Sequence, residues 1–288
     1  MDIFLSMEDP IQHISDTAFW IAGFRAQETE RKDAVFKDLP ARKLAGEKGV
    51  QMVAETPHSG AMAFAMVVRT SAIDRLVLSA VSNGIDAVIN LGAGLDTRPY
   101  RLQLPSGLKW IEVDFDAIIK YKNEKLSDDT PACQLTTIAA DLSNVVERKK
   151  LFEKLGSEVK NALVITEGVI GYLTNDQAAV LSKDIFSIPS FAFWVQDYAQ
   201  GKMKNHRRSK NMVKKMIKHT PIQFRSADPI GFFRKHGWKV KENIFILDEA
   251  DRIGMPFPMM FPWNLLVKLS PVRQLGNKTY GYVMFAKA

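Results

Sequence analysis

Carboxylates stand at the ends of three successive apolar segments and could together hold a ribose-bearing ligand. Glu112, Asp114 and Asp116 belong to WIEVDFD, Asp141 lies in AADLS, and Glu167 follows ALVIT. The carboxyl ends of parallel strands meet along one crevice, where such folds bind their ligands. An acid about 20 residues after a glycine turn can accept both hydroxyls of a ribose. The pattern therefore predicts an adenosine-bearing ligand.

A glycine turn precedes these acids in the stretch VINLGAGLDTRPYRL. Gly92 and Gly94 allow the chain to turn tightly and to approach a ligand without an intervening Cβ. Asp96 or Thr97 can cap the following helix, and Pro99 suits its first turn. Thr97 stands where the dinucleotide fingerprint has its third glycine. The turn therefore fits a nicotinamide dinucleotide less well than another adenosine cofactor.

An arginine lies on the apolar stripe of a helix predicted for MVVRTSAIDRLVLSAV. The stripe has the spacing i, i+3, i+4, i+7, i+8 of a buried face. Its apolar members are Ile73, Leu76, Val77, Ala80 and Val81. Arg69 stands one turn earlier, and a guanidinium on a buried face is costly unless an anion meets it. We expect Arg69 to face a carboxylate or phosphate; the alternative is a partly exposed side chain with its stem packed down.

Strand-length apolar segments recur with helical patterns between them, which is typical of βαβ units and a mostly parallel sheet. The predicted strands are Ala87–Leu91, Lys109–Val113, Leu135–Ala139, Ala162–Thr166, Phe191–Gln196, Val240–Leu247 and Tyr282–Ala286. The predicted fold class is therefore α/β. We expect one domain of 288 residues in four regions. These are a helical cap (1–82), a cofactor-binding core (83–198), a basic lid (199–227), and C-terminal strands with an apolar loop (228–288).

One segment carries the net charge of +7. Between Lys202 and His219 lie eight basic residues and no acid: Lys202, Lys204, Arg207, Arg208, Lys210, Lys214, Lys215 and Lys218. Subtracting these 8 charges from +7 leaves −1 for the remaining residues. The segment also has an apolar helical stripe, formed by Met212, Val213, Met216 and Ile217. It is therefore predicted to be a lid helix on the crevice rim, with a solvated basic helix as the plainer reading.

Composition excludes several classes of protein. Cys133 is the single cysteine, so there is no disulfide framework and no cysteine metal site. The apolar run Ala61–Val68 is far shorter than the roughly 18 residues of a membrane span. The acidic start is unlike a signal peptide. The histidines His13, His58, His206, His219 and His236 form no metal-ligand motif. We therefore predict a cytoplasmic protein with no membrane partner and no metal.

The chain resembles the leucine carboxyl methyltransferase family of class I S-adenosylmethionine-dependent methyltransferases. The resemblance covers most of the chain and includes ISDTAFWIAGFRAQETER, FKDLPARKLAGEKG, VVRTSAIDRLV, VINLGAGLDTRPYRL, WIEVDFDAIIKYK, AADLS and ITEGVIGYLT. It implies a Rossmann-like seven-stranded sheet whose last strand, near YGYVMFAKA, runs antiparallel between its neighbours. It also implies S-adenosyl-L-methionine as the cofactor.

The resemblance further implies which residues hold the methionine end of that cofactor. Arg69 would grip the carboxylate, and Arg25 is a further candidate for the same group. Glu167 would hold the amino end. Gly92 and Gly94 would pass beneath the cofactor.

For the adenosine end, the resemblance implies that Asp114 holds the ribose. Asp141 and Leu142 would hold the adenine ring. Tyr172 matches a family tyrosine near the active site, so it is a candidate near the acceptor; the alternative is that it only packs.

The predicted reaction is methyl transfer to oxygen. A sulfonium already activates the methyl group, so the enzyme must align a nucleophile and exclude water. A carboxylate acceptor is ionised at neutral pH, whereas a hydroxyl must lose a proton. No catalytic base is assigned. The stretch MPFPMMFPWNLLVKL could line an apolar acceptor pocket or pack onto the core through Met255, Phe257, Met259, Met260, Phe261 and Trp263.

The preferred hypothesis is an O-methyltransferase acting on a carboxylate or hydroxyl of a small, partly apolar molecule. The first alternative is carboxyl methylation of a protein C-terminus, which the family includes. Nucleic-acid methylation is a second alternative, and it depends on the basic segment alone. A non-catalytic protein that binds S-adenosylmethionine is a third.

Overall fold

The computed structural model describes residues 10–56, 59–199, 222–258, 273 and 280–287. Its strands are β1 (Ala87–Leu91), β2 (Lys109–Asp114), β3 (Gln134–Ala139), β4 (Ala162–Thr166), β5 (Phe191–Ala199), β6 (Lys239–Phe245) and β7 (Tyr280–Ala286). They form one seven-stranded sheet in the order β3-β2-β1-β4-β5-β7-β6. β1 pairs in parallel with β2 and β4, while β7 runs antiparallel between β5 and β6. The predicted fold class and the antiparallel last strand are confirmed.

The described helices cover both faces of the sheet. They are α1 (Pro10–Glu30), α2 (Leu39–Ala54), α3 (Ser59–Ser82), α4 (Arg98–Arg101), α5 (Asp116–Lys125), α6 (Val145–Glu158), α7 (Asn175–Ser187), α8 (Pro229–Arg234) and α9 (Ile246–Arg252). Gly46 interrupts α2, so α2 is two helical segments. One core lies between the sheet and α6, α7 and α8, and a second lies between the sheet and α3 and α9. Near-continuous apolar strands such as β1 and β4 are fully buried because helices cover both of their faces.

The sixth strand is shorter than its apolar run predicts. β6 ends at Phe245, and the chain continues as α9, so Leu247 lies in a helix and not in the predicted strand. Asp248 and Glu249 stand in the first turn of α9, where acids favour a helix N-terminus. Leu247 and Ala250, three residues apart, are both buried. Helical spacing therefore overrides the strand propensity of the run.

α3 brings its apolar stripe and Arg69 together into the interior. Ile73, Leu76 and Val77 are fully buried, and Arg69 is only 7% exposed. Because α3 begins at Ser59, Arg69 lies well inside the helix and its side chain reaches the carboxyl ends of the strands. In the described part of the chain, no helix combines the length and the hydropathy that crossing a membrane requires.

Candidate functional site

A cavity of about 810 Å³ lies at the carboxyl ends of β1 to β5. Such a volume is within the range of small-molecule sites. Its wall includes the residues that the resemblance assigns to the cofactor or the acceptor: Arg25, Arg69, Gly92, Gly94, Asp114, Asp141, Leu142, Glu167 and Tyr172. Of the three acids in WIEVDFD only Asp114 lines the cavity, because Glu112 is buried against Lys122 and Asp116 is exposed beside Lys120. Residues distant in the chain therefore meet in one place, as the strand-end pattern predicts.

The glycine turn after β1 has a conformation and a packing that favour glycine. Gly92 and Gly94 have φ values of 71° and 54°, in the left-handed region. A Cβ on Gly92 would stand 2.7 Å from Cγ2 of Val169. The backbone N–H of Gly92 donates to the carbonyl of Val113 at 2.8 Å, which ties the turn to β2. The turn is thus fixed close to the loop after β4.

The helix after the turn is capped by one of the two predicted side chains. Oδ1 of Asp96 accepts the N–H of Arg98 at 2.9 Å, and Pro99 lies in the first turn. The Thr97 hydroxyl makes no cap bond; it donates instead to Oδ2 of Asp38 at 2.6 Å. Asp96 therefore caps α4, while Thr97 ties the turn to the N-terminal helices.

Asp114 supports the glycine turn and borders the cavity. Its Oδ2 accepts the N–H of Gly94 at 2.6 Å, and its Oδ1 accepts the N–H of Phe115 at 2.7 Å. Each oxygen keeps a further lone pair for a ligand hydroxyl. Burial raises the pKa of Asp114, although the two backbone donors oppose this shift.

The end of β3 presents a polar and an apolar residue side by side. Asp141 is exposed, and its Oδ1 accepts the N–H of Ser143 at 2.8 Å. Leu142 is half-buried, and its carbonyl accepts a hydrogen bond from Nη1 of Arg148 at 2.7 Å. The segment is therefore held in place from α6 while both side chains stay at the cavity.

Glu167 lies between two arginines. Its Oε1 is 2.8 Å from Nε of Arg69, and its Oε2 is 2.8 Å from Nη1 of Arg98. Burial disfavours the charge on Glu167, but Arg98 and Arg69 outweigh burial and lower its pKa. The N–H on Nε of Arg69 has no hydrogen-bond partner, so the contact with Glu167 is an ion pair without that hydrogen bond. Arg69 therefore keeps hydrogen-bonding capacity beside a carboxylate.

A buried charge network extends from Glu167 beneath the cavity. Nε of Arg98 donates to Asp74 at 2.7 Å, and its Nη1 donates to Asp96 at 2.9 Å. Arg101 donates to both oxygens of Asp74. The sequence analysis did not assign the pairs of Asp74 with Arg98 and Arg101, because these partners are 24 and 27 residues apart in the chain. The available signal was Asp74, an acid beside the apolar stripe of α3.

Arg25 joins the helical cap to the glycine turn. Its Nε donates to Asp38 at 2.8 Å, and its Nη2 donates to the carbonyl of Leu95 at 2.5 Å. Asp38 is fully buried and also caps α2. Arg25 therefore borders the cavity with most of its guanidinium already engaged by protein.

Tyr172 lies in a short 3₁₀ helix, Ile170–Tyr172, after β4. Burial raises the pKa of its phenol, and the side chain of Thr17 on α1 opposes this shift. Its carbonyl accepts a hydrogen bond from Nε2 of Gln223 at 2.9 Å. The side chain thus stands where the helical cap meets the loop after β4.

Asp197, at the end of β5, is a cavity residue that the sequence analysis did not assign. Its Oδ1 accepts the N–H of Gly168 at 2.7 Å, and its Oδ2 accepts the Tyr280 hydroxyl at 2.9 Å. Asp197 and Tyr280 both line the cavity. The strand-end rule, applied to β5, would have found this carboxylate.

The predicted lid and apolar pocket are described only in part. The basic residues of 202–218 lie outside the described residues, as do Met259, Met260, Phe261 and Trp263. Phe257 packs edge-on against Phe64, with ring centroids 5.3 Å apart, and Met255 packs against the same core. These two side chains therefore pack on the core beside α3 and not on the cavity. Within the described ranges, no group of three or more His, Cys, Asp or Glu residues could hold a metal ion.

Comparison with known proteins identifies the family. The leucine carboxyl methyltransferase profile matches residues 18–186. A candidate S-adenosyl-L-methionine-dependent methyltransferase of Rhodococcus jostii is 30% identical over 271 residues, which cover 87% of this chain and 90% of that protein. One of Streptomyces coelicolor is 28% identical over 245 residues, covering 77% and 82%.

Solved structures share the fold. A DUF574 family protein from Streptomyces avermitilis aligns with a TM-score of 0.56 at 14% identity, covering 93% of this chain and 97% of that one. A candidate methyltransferase from Thermobifida fusca aligns with a TM-score of 0.56 at 15% identity, covering 93% and 94%. The chain therefore belongs to the leucine carboxyl methyltransferase family and is an S-adenosyl-L-methionine-dependent methyltransferase.

Proposed function

We propose that this protein transfers the methyl group of S-adenosyl-L-methionine to an oxygen, carboxylate or hydroxyl, of a small, partly apolar molecule. The observation that carries the proposal is the Arg69–Glu167 pair at the cavity wall. The methionine end of the cofactor is a zwitterion, and an adjacent guanidinium and carboxylate match its two charges.

The residues present fit the methionine end of the cofactor. The guanidinium of Arg69 lines the cavity beside Glu167, where it could meet the methionine carboxylate. Glu167, already ionised between two arginines, can accept the ammonium hydrogens. Arg25 also lines the cavity and is a second candidate for the same carboxylate, although its Nε and Nη2 already donate to Asp38 and Leu95. Gly92 and Gly94 keep the turn free of side chains beneath the cofactor.

The residues also fit the adenosine end. Asp114 can accept ribose hydroxyls through its remaining lone pairs while it holds the glycine turn. Asp141 can accept the adenine amino group, and Leu142 offers apolar surface to the ring. These assignments follow the order of strands along the crevice, from β4 through β1 and β2 to β3.

The cofactor supplies a methyl group activated by a sulfonium, and the chain supplies position and exclusion of water. Thr17 and Trp20 of α1 border the cavity, so the helical cap shields it from solvent. Phe224 and Phe233 border the side next to β5. This apolar side, with Tyr172 beside it, supports a small and partly apolar acceptor.

The test is calorimetric titration of ligand-free protein with S-adenosyl-L-methionine, followed by incubation with methyl-labelled cofactor and a small-molecule extract of bacterial cells. We expect one cofactor per chain, no binding of nicotinamide dinucleotides, and transfer of label to a small molecule by an oxygen–methyl bond. Binding without transfer to any extract would support the non-catalytic alternative. No binding at all would overturn the cofactor-site assignment.

Carboxyl methylation of a protein C-terminus is the second candidate, and the family match favours it. It predicts label in the protein fraction of a cell extract, released by mild alkali. Nucleic-acid methylation depends on residues 202–218, outside the described residues, and predicts salt-sensitive RNA or DNA binding that is lost when those basic residues are neutralised. The cytoplasmic location stays a prediction.

A further inference from the structure

Asp197 and Glu167 are both half-buried, and they differ in the groups that contact their carboxylates. Glu167 is held by two guanidinium groups. Asp197 is held by a backbone N–H from Gly168 and by the Tyr280 hydroxyl, which are both neutral donors. Among the described residues, no cation lies within ion-pair distance of Asp197. Each of its oxygens accepts one hydrogen bond and therefore keeps a lone pair for a further donor.

The position of Asp197 places it next to the cofactor site. Gly168, which donates to Asp197, directly follows Glu167 in the chain. β5 is the neighbour of β4 on the side away from β1, so Asp197 borders the end of the crevice that the proposed cofactor residues leave open. Phe224 and Phe233 line that same end. An acceptor lying on this apolar wall would meet the Asp197 carboxylate.

We infer that Asp197 accepts the proton of a hydroxyl acceptor and that Tyr280 positions the Asp197 carboxylate. The product would then be a methyl ether. The inference rests on the proposed function and chooses between its two kinds of acceptor. The acceptor oxygen bonds to the methyl carbon as the carbon–sulfur bond breaks and its electron pair stays on sulfur. The hydroxyl proton passes to an Asp197 oxygen.

Electrostatics opposes the alternative acceptor. A carboxylate bound at the same place would face the carboxylate of Asp197, which has no ion pair within the described residues, and two like charges close together repel. The arginines of the cavity wall are already paired with acids: Arg25 with Asp38, Arg69 with Glu167, Arg98 with Asp74, Arg101 with Asp74, and Arg148 with Asp184. A hydroxyl, in contrast, donates its hydrogen to Asp197 without adding charge.

The first experiment identifies the bond that forms. The protein is incubated with methyl-labelled S-adenosyl-L-methionine and a small-molecule extract of bacterial cells. Mass spectrometry then assigns the labelled product as an ether, an ester or an N-methyl compound. We expect an ether that resists mild alkali. A methyl ester, an N-methyl product, or no transfer by a protein that binds the cofactor would each overturn the inference; failure to bind the cofactor would instead overturn the proposed function.

The second experiment uses the parent compound of that product with two variants. We expect Asp197→Asn to lower kcat by about 10²-fold, the scale of general base catalysis, and Tyr280→Phe to lower it about 3- to 10-fold. Affinity for S-adenosyl-L-homocysteine should stay within about 3-fold in both, since neither residue is assigned to the cofactor. Asp116→Asn, an exposed change on α5, is the matched control and should act as wild type.

The pH profile separates proton transfer from a structural role. Among the described residues, Arg69, Tyr172, Tyr280 and Tyr282 interact electrostatically with Asp197. Glu167 directly precedes Gly168, whose N–H donates to Asp197. In Asp197→Asn, the rate should rise with pH as the acceptor itself ionises, and it should approach the wild-type rate at alkaline pH. An equal loss at every pH, or weaker cofactor binding by Asp197→Asn, would show that Asp197 supports the fold or the cofactor instead.

Discussion

Oδ2 of Asp114 accepts the backbone N–H of Gly94 at 2.6 Å, so the carboxylate assigned to the ribose also fixes the glycine turn. The same side chain accepts the N–H of Phe115 through its other oxygen. One acid thus links two parts of the proposed cofactor site, and its loss should affect binding and stability together.

We expect Asp114→Asn to weaken S-adenosyl-L-methionine binding at least about 10-fold and to lower the free energy of unfolding by about 1–3 kcal/mol. An amide has one acceptor atom, so its NH2 group must face one of the two backbone donors. Calorimetry and urea unfolding measure the two effects. Asp116→Asn, with an exposed ion pair to Lys120, should change stability by less than about 0.5 kcal/mol. Wild-type affinity in Asp114→Asn would contradict the ribose assignment.

The second prediction concerns the close approach of the glycine turn to the loop after β4. Gly92→Ala adds a Cβ 2.7 Å from Cγ2 of Val169 at a φ of 71°. Gly84 has a similar φ of 82°, but a Cβ there would meet nothing within 4 Å. Gly84→Ala is therefore a control for the backbone strain alone, about 1–2 kcal/mol.

We expect Gly92→Ala to lose more stability than Gly84→Ala and also to lose cofactor affinity, because Val169 or the turn must move. Gly84→Ala should bind the cofactor as wild type does. Urea unfolding and calorimetry on both variants make the comparison. If the two variants were equally unstable and bound the cofactor equally well, the close approach of Gly92 to Val169 would not matter for cofactor binding.

The third prediction tests the role of Arg69. Arg69→Met should weaken binding of S-adenosyl-L-homocysteine by about 10²-fold, the scale of a charge-assisted hydrogen-bond pair. Arg69→Lys should be intermediate, because it keeps the charge but loses the planar fork. Glu167 keeps Arg98 as a partner in both variants, so the fold should survive.

The ligand itself provides the control for Arg69. 5′-Methylthioadenosine has the adenosine and the sulfur of the cofactor but lacks the methionine carboxylate and ammonium. Its affinity should be the same for wild type and Arg69→Met. A parallel loss for both ligands would mean that Arg69 shapes the cavity and does not bind the carboxylate.

The sequence predicts the sheet well because each strand is a short apolar run with its own boundaries. β1 and β4 have the predicted limits, since both are buried along their whole length and are followed directly by Gly92 and Glu167. The predicted end of the sixth strand is wrong, because an apolar run does not distinguish a strand from the buried turn of a helix. Leu247 is the residue that shows this.

The sequence predicts those parts of the candidate site that the order of the strands alone brings together. Asp114, Asp141 and Glu167 follow parallel strands, so their meeting at one crevice follows from the fold class. The pairing of Arg98 with Asp74, or of Asp197 with Tyr280, depends on how a helix or an antiparallel strand packs across the sheet. No spacing in the chain encodes those contacts.

The last prediction concerns a buried ion pair between β2 and α5. Nζ of Lys122 lies 2.5 Å from Oε2 of Glu112, and both side chains are almost completely buried. Burial raises the pKa of Glu112 to about 7, although Lys122 opposes this shift. Between pH 4.5, its ordinary pKa, and about 7, the folded protein therefore keeps a proton that the unfolded chain releases. The contribution of Glu112 to stability falls as the pH rises through this range.

Replacing Lys122 should make the free energy of unfolding fall more steeply as the pH rises. Lys122 lowers the pKa of Glu112, so Lys122→Met raises it further. At pH 8 the folded variant must then either hold an unpaired buried carboxylate or take up a proton, and we expect a loss of up to about 3–5 kcal/mol in the free energy of unfolding. At pH 5, Glu112 is protonated and the loss should be clearly smaller. The double variant Glu112→Gln with Lys122→Met has no buried charge here, and its cost should not change between the two pH values. Urea unfolding at pH 5 and pH 8 measures all three proteins; an equal cost of Lys122→Met at both would mean that Glu112 does not titrate in this range.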